Sequence, residues 1–69
     1  MNRRTINKVL TNREQQILGC VSKGLTSNSI ASKLEISIQT VNTHRKHIWK
    51  KLGIHSMAEL YHVAIKYDR

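Results

Sequence analysis

An all-α fold, a compact four-helix domain containing a helix-turn-helix, is predicted by three features of this 69-residue chain. Apolar residues at Ile30, Ala31 and Leu34 give way, past Ile36, to Val41 and Ile48, so two helical periods are separated by a short break. Two helix starts are each marked twice, by a capping side chain at Thr26 and Ser37 and by an apolar staple, Leu25 with Ile30 and Ile36 with Val41. The chain has no proline, internal repeat or low-complexity tract, and its short connections leave few topologies for short helices.

Each element follows from local chemistry. Residues 1–9 are polar and basic without periodicity and read as a flexible arm or linker remnant, with the domain proper at 10–67. Thr11 and Glu14 form a capping box, Ile17, Leu18 and Val21 supply one apolar stripe, and Gly24 ends a helix over 12–23. The second helix spans 27–34. After it, Glu35 stands where a glycine would ease a left-handed backbone. The third spans 38–52, with Gly53 just past its end and Lys50 and Lys51 near the negative end of its dipole. Ser56 and Glu59 repeat the capping box and open a fourth helix over 57–67. The helix-turn-helix itself falls at about 27–46.

Composition narrows the function. Twelve Lys and Arg against four Asp and Glu give a formal charge of +8, which points to a polyanionic partner. Arg45, Lys46, Lys50 and Lys51 cluster beside His44 and His47 with no acid among them. The single cysteine, Cys20, allows no internal disulfide and reads as a small packing residue. His44 and His47 are three apart on a helix, but no third ligand is evident and His44 points toward the buried side, so no metal and no cofactor are expected. No carboxylate pair, glycine-rich phosphate loop or nucleophile with a base at recognisable spacing supports an enzyme. No apolar run approaches the ~20 residues of a membrane span and no signal-peptide pattern is present, so a cytoplasmic protein is expected.

The 38–52 helix sorts into two faces at about 100° per residue. With Val41 as zero, Ile48 and Leu52 lie within about 20° of it, His44 flanks them, and this side is the buried one. Opposite, between about 100° and about 240°, lie Asn42, Lys46, Gln39, Lys50, Thr43 and His47. A surface helix ordinarily mixes acids into such an arc, and this one has amides, a hydroxyl and cations instead, groups suited to base edges and phosphates. Asn42, Thr43 and Lys46 are the expected base readers. Gln39, Thr40, His47, Lys50 and Lys51 are expected to bind backbone, as is Arg45, whose stem packs on the flank of the buried stripe while its guanidinium reaches a phosphate. The start of the 27–34 helix, with Thr26, Ser27 and Asn28, offers hydroxyls and free N–H groups for another phosphate.

The 57–67 helix has two apolar stripes. Leu60, Val63, Ala64 and Tyr67 suffice to cover the core, and Ala58, Tyr61 and Ile65 form a second stripe roughly 130° away, expected to meet a second copy.

Leu10-Thr11-x-Arg13-Glu14, Gly24-Leu25-Thr26, Ile30-Ala31, Leu34-x-Ile36-Ser37, Thr40-Val41, Thr43-His44-Arg45, Ile48 and Lys51-Leu52-Gly53 together resemble the LuxR/FixJ (GerE-like) DNA-binding domain of bacterial transcription regulators. The resemblance covers roughly 10–65. It implies that the third of four helices enters the major groove, that the fourth supports dimerisation on an inverted repeat, and that base-reading positions correspond to Asn42, Thr43 and Lys46. Asn12 replaces the common proline after Leu-Thr, and Asn28-Ser29 replaces the usual Lys-Glu before Ile-Ala, so some capping preference is lost. Expected partners are double-stranded DNA, a second copy on that DNA and RNA polymerase, in a bacterial, nucleoid-associated setting. The chain is expected to be either a stand-alone regulator or the C-terminal part of a longer one carrying a receiver or ligand-binding domain.

The main rival is an interaction module that pairs with a full-length regulator of the same family and inhibits it. Such a module would keep the last helix and lose the basic arc, and the arc is intact. A membrane-surface helix needs for lipid the apolar face that the core requires, and single-stranded RNA binding wants exposed stacking aromatics where only Trp49, Tyr61 and Tyr67 exist.

Overall fold

Burial of one apolar stripe per helix organises the computed structural model, which describes residues 3–67 as five α-helices. These are α1 (Arg3–Val9), α2 (Asn12–Ser22), α3 (Ser27–Leu34), α4 (Ile38–Leu52) and α5 (Met57–Tyr67). α2 packs mainly against α5 and also against α4, α3 lies across α4, and α1 reaches both α4 and α5. Ile17, Leu18, Ile30, Val41, Ile48, Leu60 and Ala64 are fully buried where these helices meet, with Leu25, Leu34, Ile36 and Trp49 packed around them. Cys20 and Tyr67 are buried in the same core, the Tyr67 hydroxyl donating to Gln15 Oε1 at 3.1 Å.

The residues read as a flexible arm fold instead. Arg3–Val9 is helical and places Ile6 in the core with no exposed surface, next to the buried Leu10. Ile6 and Val9 cover one turn only, too short to establish a period, and a seven-residue helix is not stable alone, so α1 exists because the other helices bury Ile6.

Helix starts behave as their caps dictate. Thr11 Oγ1 accepts from the Glu14 N–H at 3.1 Å while Glu14 Oε1 accepts from the Thr11 N–H at 2.9 Å, completing the capping box. Thr26 Oγ1 accepts from the Ser29 N–H and Ser37 Oγ from the Thr40 N–H. At α5 the box is displaced by one residue: Ser56 Oγ accepts from the Glu59 N–H, but the Glu59 carboxylate takes the N–H of His55.

The ends of α2 and α3 share one closure. Leu25 N–H donates to Cys20 O and Gly24 N–H to Val21 O, and after α3 Ile36 N–H donates to Ala31 O. The residue at the bend must be left-handed. Gly24 adopts φ +79°, and Glu35 adopts φ 57°, ψ 44° despite its side chain. This turn between α3 and α4 therefore stores strain, and Glu35→Gly should raise the stability by about 0.5–1 kcal/mol. Urea denaturation checks this, and an unchanged or lowered midpoint would contradict it.

Candidate nucleic-acid interface

α4 contains no Asp or Glu, and its outward residues Gln39, Thr40, Asn42, Thr43, Lys46, His47 and Lys50 are all exposed. The opposite side holds Val41, Ile48 and Leu52 in the core, so the helix cannot roll without exposing them. Ser37 caps its start and Gly53, at φ +65°, its end. The six residues sorted onto the polar arc from sequence are thus brought together on one rigid surface.

Their side chains differ in freedom. Thr43 Oγ1 donates to the Gln39 carbonyl at 2.9 Å, so its hydroxyl is occupied along the helix. The Thr40 hydroxyl lies 2.8 Å from Ser37 Oγ, within the cap. Asn42 Oδ1 accepts from Ser27 Oγ at 3.1 Å, which orients the amide from the neighbouring helix. Ser27 in turn accepts from Arg45 Nη1 at 3.0 Å. This chain of hydrogen bonds ties the start of α3 to the middle of α4. It also sets the start of α3, with Thr26 and the exposed Asn28, beside the polar face of α4.

Arg45 departs from its expected role. It is 8% exposed, and its guanidinium donates to Ser27 Oγ and, at 3.0 Å, to Met57 Sδ at the start of α5. The flank position that suggested a reach to phosphate instead turns the side chain inward, where it braces α3, α4 and α5 together. Both partners are uncharged, and burial pulls the guanidinium pKa below its ordinary value without discharging it.

Lys51 is also turned to the protein. Its ammonium lies 2.7 Å from Glu14 Oε1, on a carboxylate that is only 2% exposed. Burial alone would push the Glu14 carboxyl up. The hydrogen bonds from Lys51 and Thr11, with the Lys51 charge, outweigh it and hold the carboxyl below its usual range. Glu14 was legible in the sequence as a cap. Its partnership with a lysine 37 residues away was not, because that contact exists only once α2 and α4 pack. Of the four α4 cations singled out, Lys46 and Lys50 remain free to meet a polyanion.

The Ala58, Tyr61 and Ile65 stripe lies outside the core, with Tyr61 46% and Ile65 38% exposed, while Leu60, Ala64 and Tyr67 of the same helix are buried. Among the described residues no helix is long and apolar enough to cross a membrane.

Comparison with known proteins agrees with this geometry. Residues 8–64 match the family described as bacterial regulatory proteins, luxR family. The oxygen regulatory protein NreC of Staphylococcus aureus, in strains JH9, JH1 and Mu3 alike, is 44% identical over 59 residues, covering 86% of this chain. The chain spans 27% of the length of these relatives. No solved structure matches it. A helix-turn-helix whose second helix carries an acid-free polar face, over a match that takes in α2, α3, α4 and most of α5, means that this chain belongs to the luxR family of bacterial regulatory proteins.

Proposed function

We propose that this chain binds double-stranded DNA sequence-specifically, as a transcription regulator or the C-terminal effector part of one, with α4 in the major groove. The observation that carries this reading is the exposed face of α4, which presents amides, hydroxyls and cations without one acid. Asn42 pairs with an adenine edge, its amide held by Ser27, while Lys46 donates to guanine and the Thr43 methyl meets a thymine methyl. Lys50, Gln39, Thr40 and His47, with Thr26 and Asn28 at the start of α3, hold phosphates. Ser27 and Arg45 act one step back, by setting the α3–α4 crossing, and Lys51 by fixing α4 to α2.

Asn42→Ala or Lys46→Ala should cost about 1–3 kcal/mol on the preferred site and relax its sequence preference, whereas Lys50→Ala should weaken all sequences alike. Competition titrations against scrambled DNA measure the difference. Equal losses on specific and scrambled DNA for Asn42→Ala would remove it from the base readers.

Two copies meet on DNA through Ala58, Tyr61 and Ile65, a reading supported by the exposure of this stripe beside a core that is already covered. That pairing places two α4 helices about one helical turn, ~34 Å, apart on an inverted repeat. Ile65→Lys should abolish cooperative binding to a two-half-site operator while leaving half-site binding and helicity unchanged. Undiminished cooperativity in gel-shift titration would exclude this surface.

A further inference from the structure

We propose that Glu14, His44 and His47 form a site for one divalent transition-metal ion of the zinc class, linking α2 to α4. The sequence shows only the two histidines, three apart on α4, and the fold supplies the missing third group from another helix. One ligand atom from each of the three lies within 4.8 Å of the others. Nitrogen and oxygen ligands sit about 2.0–2.2 Å from zinc, so neighbouring ligands around a tetrahedral ion are about 3.3–3.5 Å apart. Closing the cluster to that geometry takes adjustments of about 1 Å, within the reach of side-chain torsions.

The division of labour on Glu14 leaves room for the ion. Oε1 accepts from the Thr11 N–H and from Lys51, while Oε2 faces His47 Nδ1 at 4.0 Å, too far for a hydrogen bond. An ion on Oε2 therefore leaves the cap and the lysine pair standing. His44 has a ring nitrogen to spare: its Nδ1 is buried without a hydrogen-bond partner, as is Trp49 Nε1 beyond the cluster. His47, with a side chain 58% exposed, gives the ion an entry path and leaves its fourth position to water.

Two imidazoles and one carboxylate suit zinc and its neighbours, and not magnesium or calcium, which take oxygen ligands. The adjacent Lys51 ammonium opposes a second positive charge and so weakens the affinity. The bound ion pins the recognition helix to α2 at the edge of the DNA-facing arc.

Titrating the 69-residue chain with Zn2+ by calorimetry, and with Co2+ by visible absorption, tests the site. The expected result is one ion per chain with the intense cobalt absorption of a four-coordinate centre, and no heat with Mg2+. Zinc at about 100 times its Kd should raise the folded-to-unfolded ratio about a hundredfold. His47→Gln, a change at an exposed position, should leave the circular dichroism intact and weaken zinc binding at least about tenfold, as loss of one of three ligands requires. The double variant His55→Gln, His62→Gln should bind as the parent does. Equal affinity in His47→Gln, or loss of binding in the double variant, would overturn the proposal and assign any uptake to exposed surface histidines. These readouts are all taken without DNA; an ion on His47 Nδ1 leaves the Nε2–H of that ring for a phosphate, and the DNA reading is tested separately at Asn42, Lys46 and Lys50.

Discussion

Raising the salt concentration from about 50 to about 200 mM should lower the affinity of this chain for duplex DNA about a thousandfold. The estimate rests on about six phosphates neutralised by two copies, which sets the slope of log affinity against log salt near −5. Three charged contacts per copy is what the structure leaves available near the groove: Lys50 and the start of α3 at phosphates, and Lys46, whose ammonium at a guanine edge also displaces a counterion. Arg45 and Lys51 do not add to the slope, because one is buried against Ser27 and Met57 and the other is paired with Glu14. A formal charge of +8 would by itself suggest a steeper dependence, so the slope distinguishes the geometry from the composition. Fluorescence anisotropy at several salt concentrations measures it. A slope near zero would refute electrostatic anchoring of α4.

Ile6→Ala should cost about 2–5 kcal/mol, because it empties a fully buried site that neighbouring side chains only partly refill. A domain of this length has a total stability of roughly 3–10 kcal/mol, so the loss is a large fraction of the whole. The thermal midpoint should fall by more than about 10 °C. Removing residues 1–9 should be worse, since it also uncovers the surfaces of α4 and α5 on which α1 rests. Were this segment a flexible arm, both changes would be silent. Thermal and urea denaturation of the two variants decide between these outcomes, and midpoints equal to that of the parent would show that α1 contributes nothing to the core.

The legibility of this chain followed the range of the interactions involved. The helices at about 27–34, 38–52 and 57–67 could be placed from sequence, because caps at Thr26, Ser37 and Ser56 act within a single turn of the chain. The left-handed residue at Glu35 was visible for the same reason: a helix must close its last carbonyls locally. The polar arc of α4 was legible because a helix converts spacing into angle without help from the rest of the fold. By itself, then, the sequence determined the all-α class, the helix-turn-helix and the face of α4 that looks outward.

Only the tertiary structure decided what depends on contacts between distant residues. Ile6, Val9 and Leu10 stand at helical spacing but over little more than one turn, and α1 forms because α4 and α5 bury Ile6. Arg45 lies at an angle compatible with either reaching out or turning in, and Ser27 and Met57, 18 and 12 residues away, settle the choice. Glu14 meets Lys51 and approaches His47 only when α2 and α4 pack, which turns a helix cap into the centre of a charged cluster. The physical reason is common to all three. Periodicity and capping are properties of a few consecutive residues, whereas the partner of a buried charge is set by which helices pack together, and packing is decided by the apolar core as a whole.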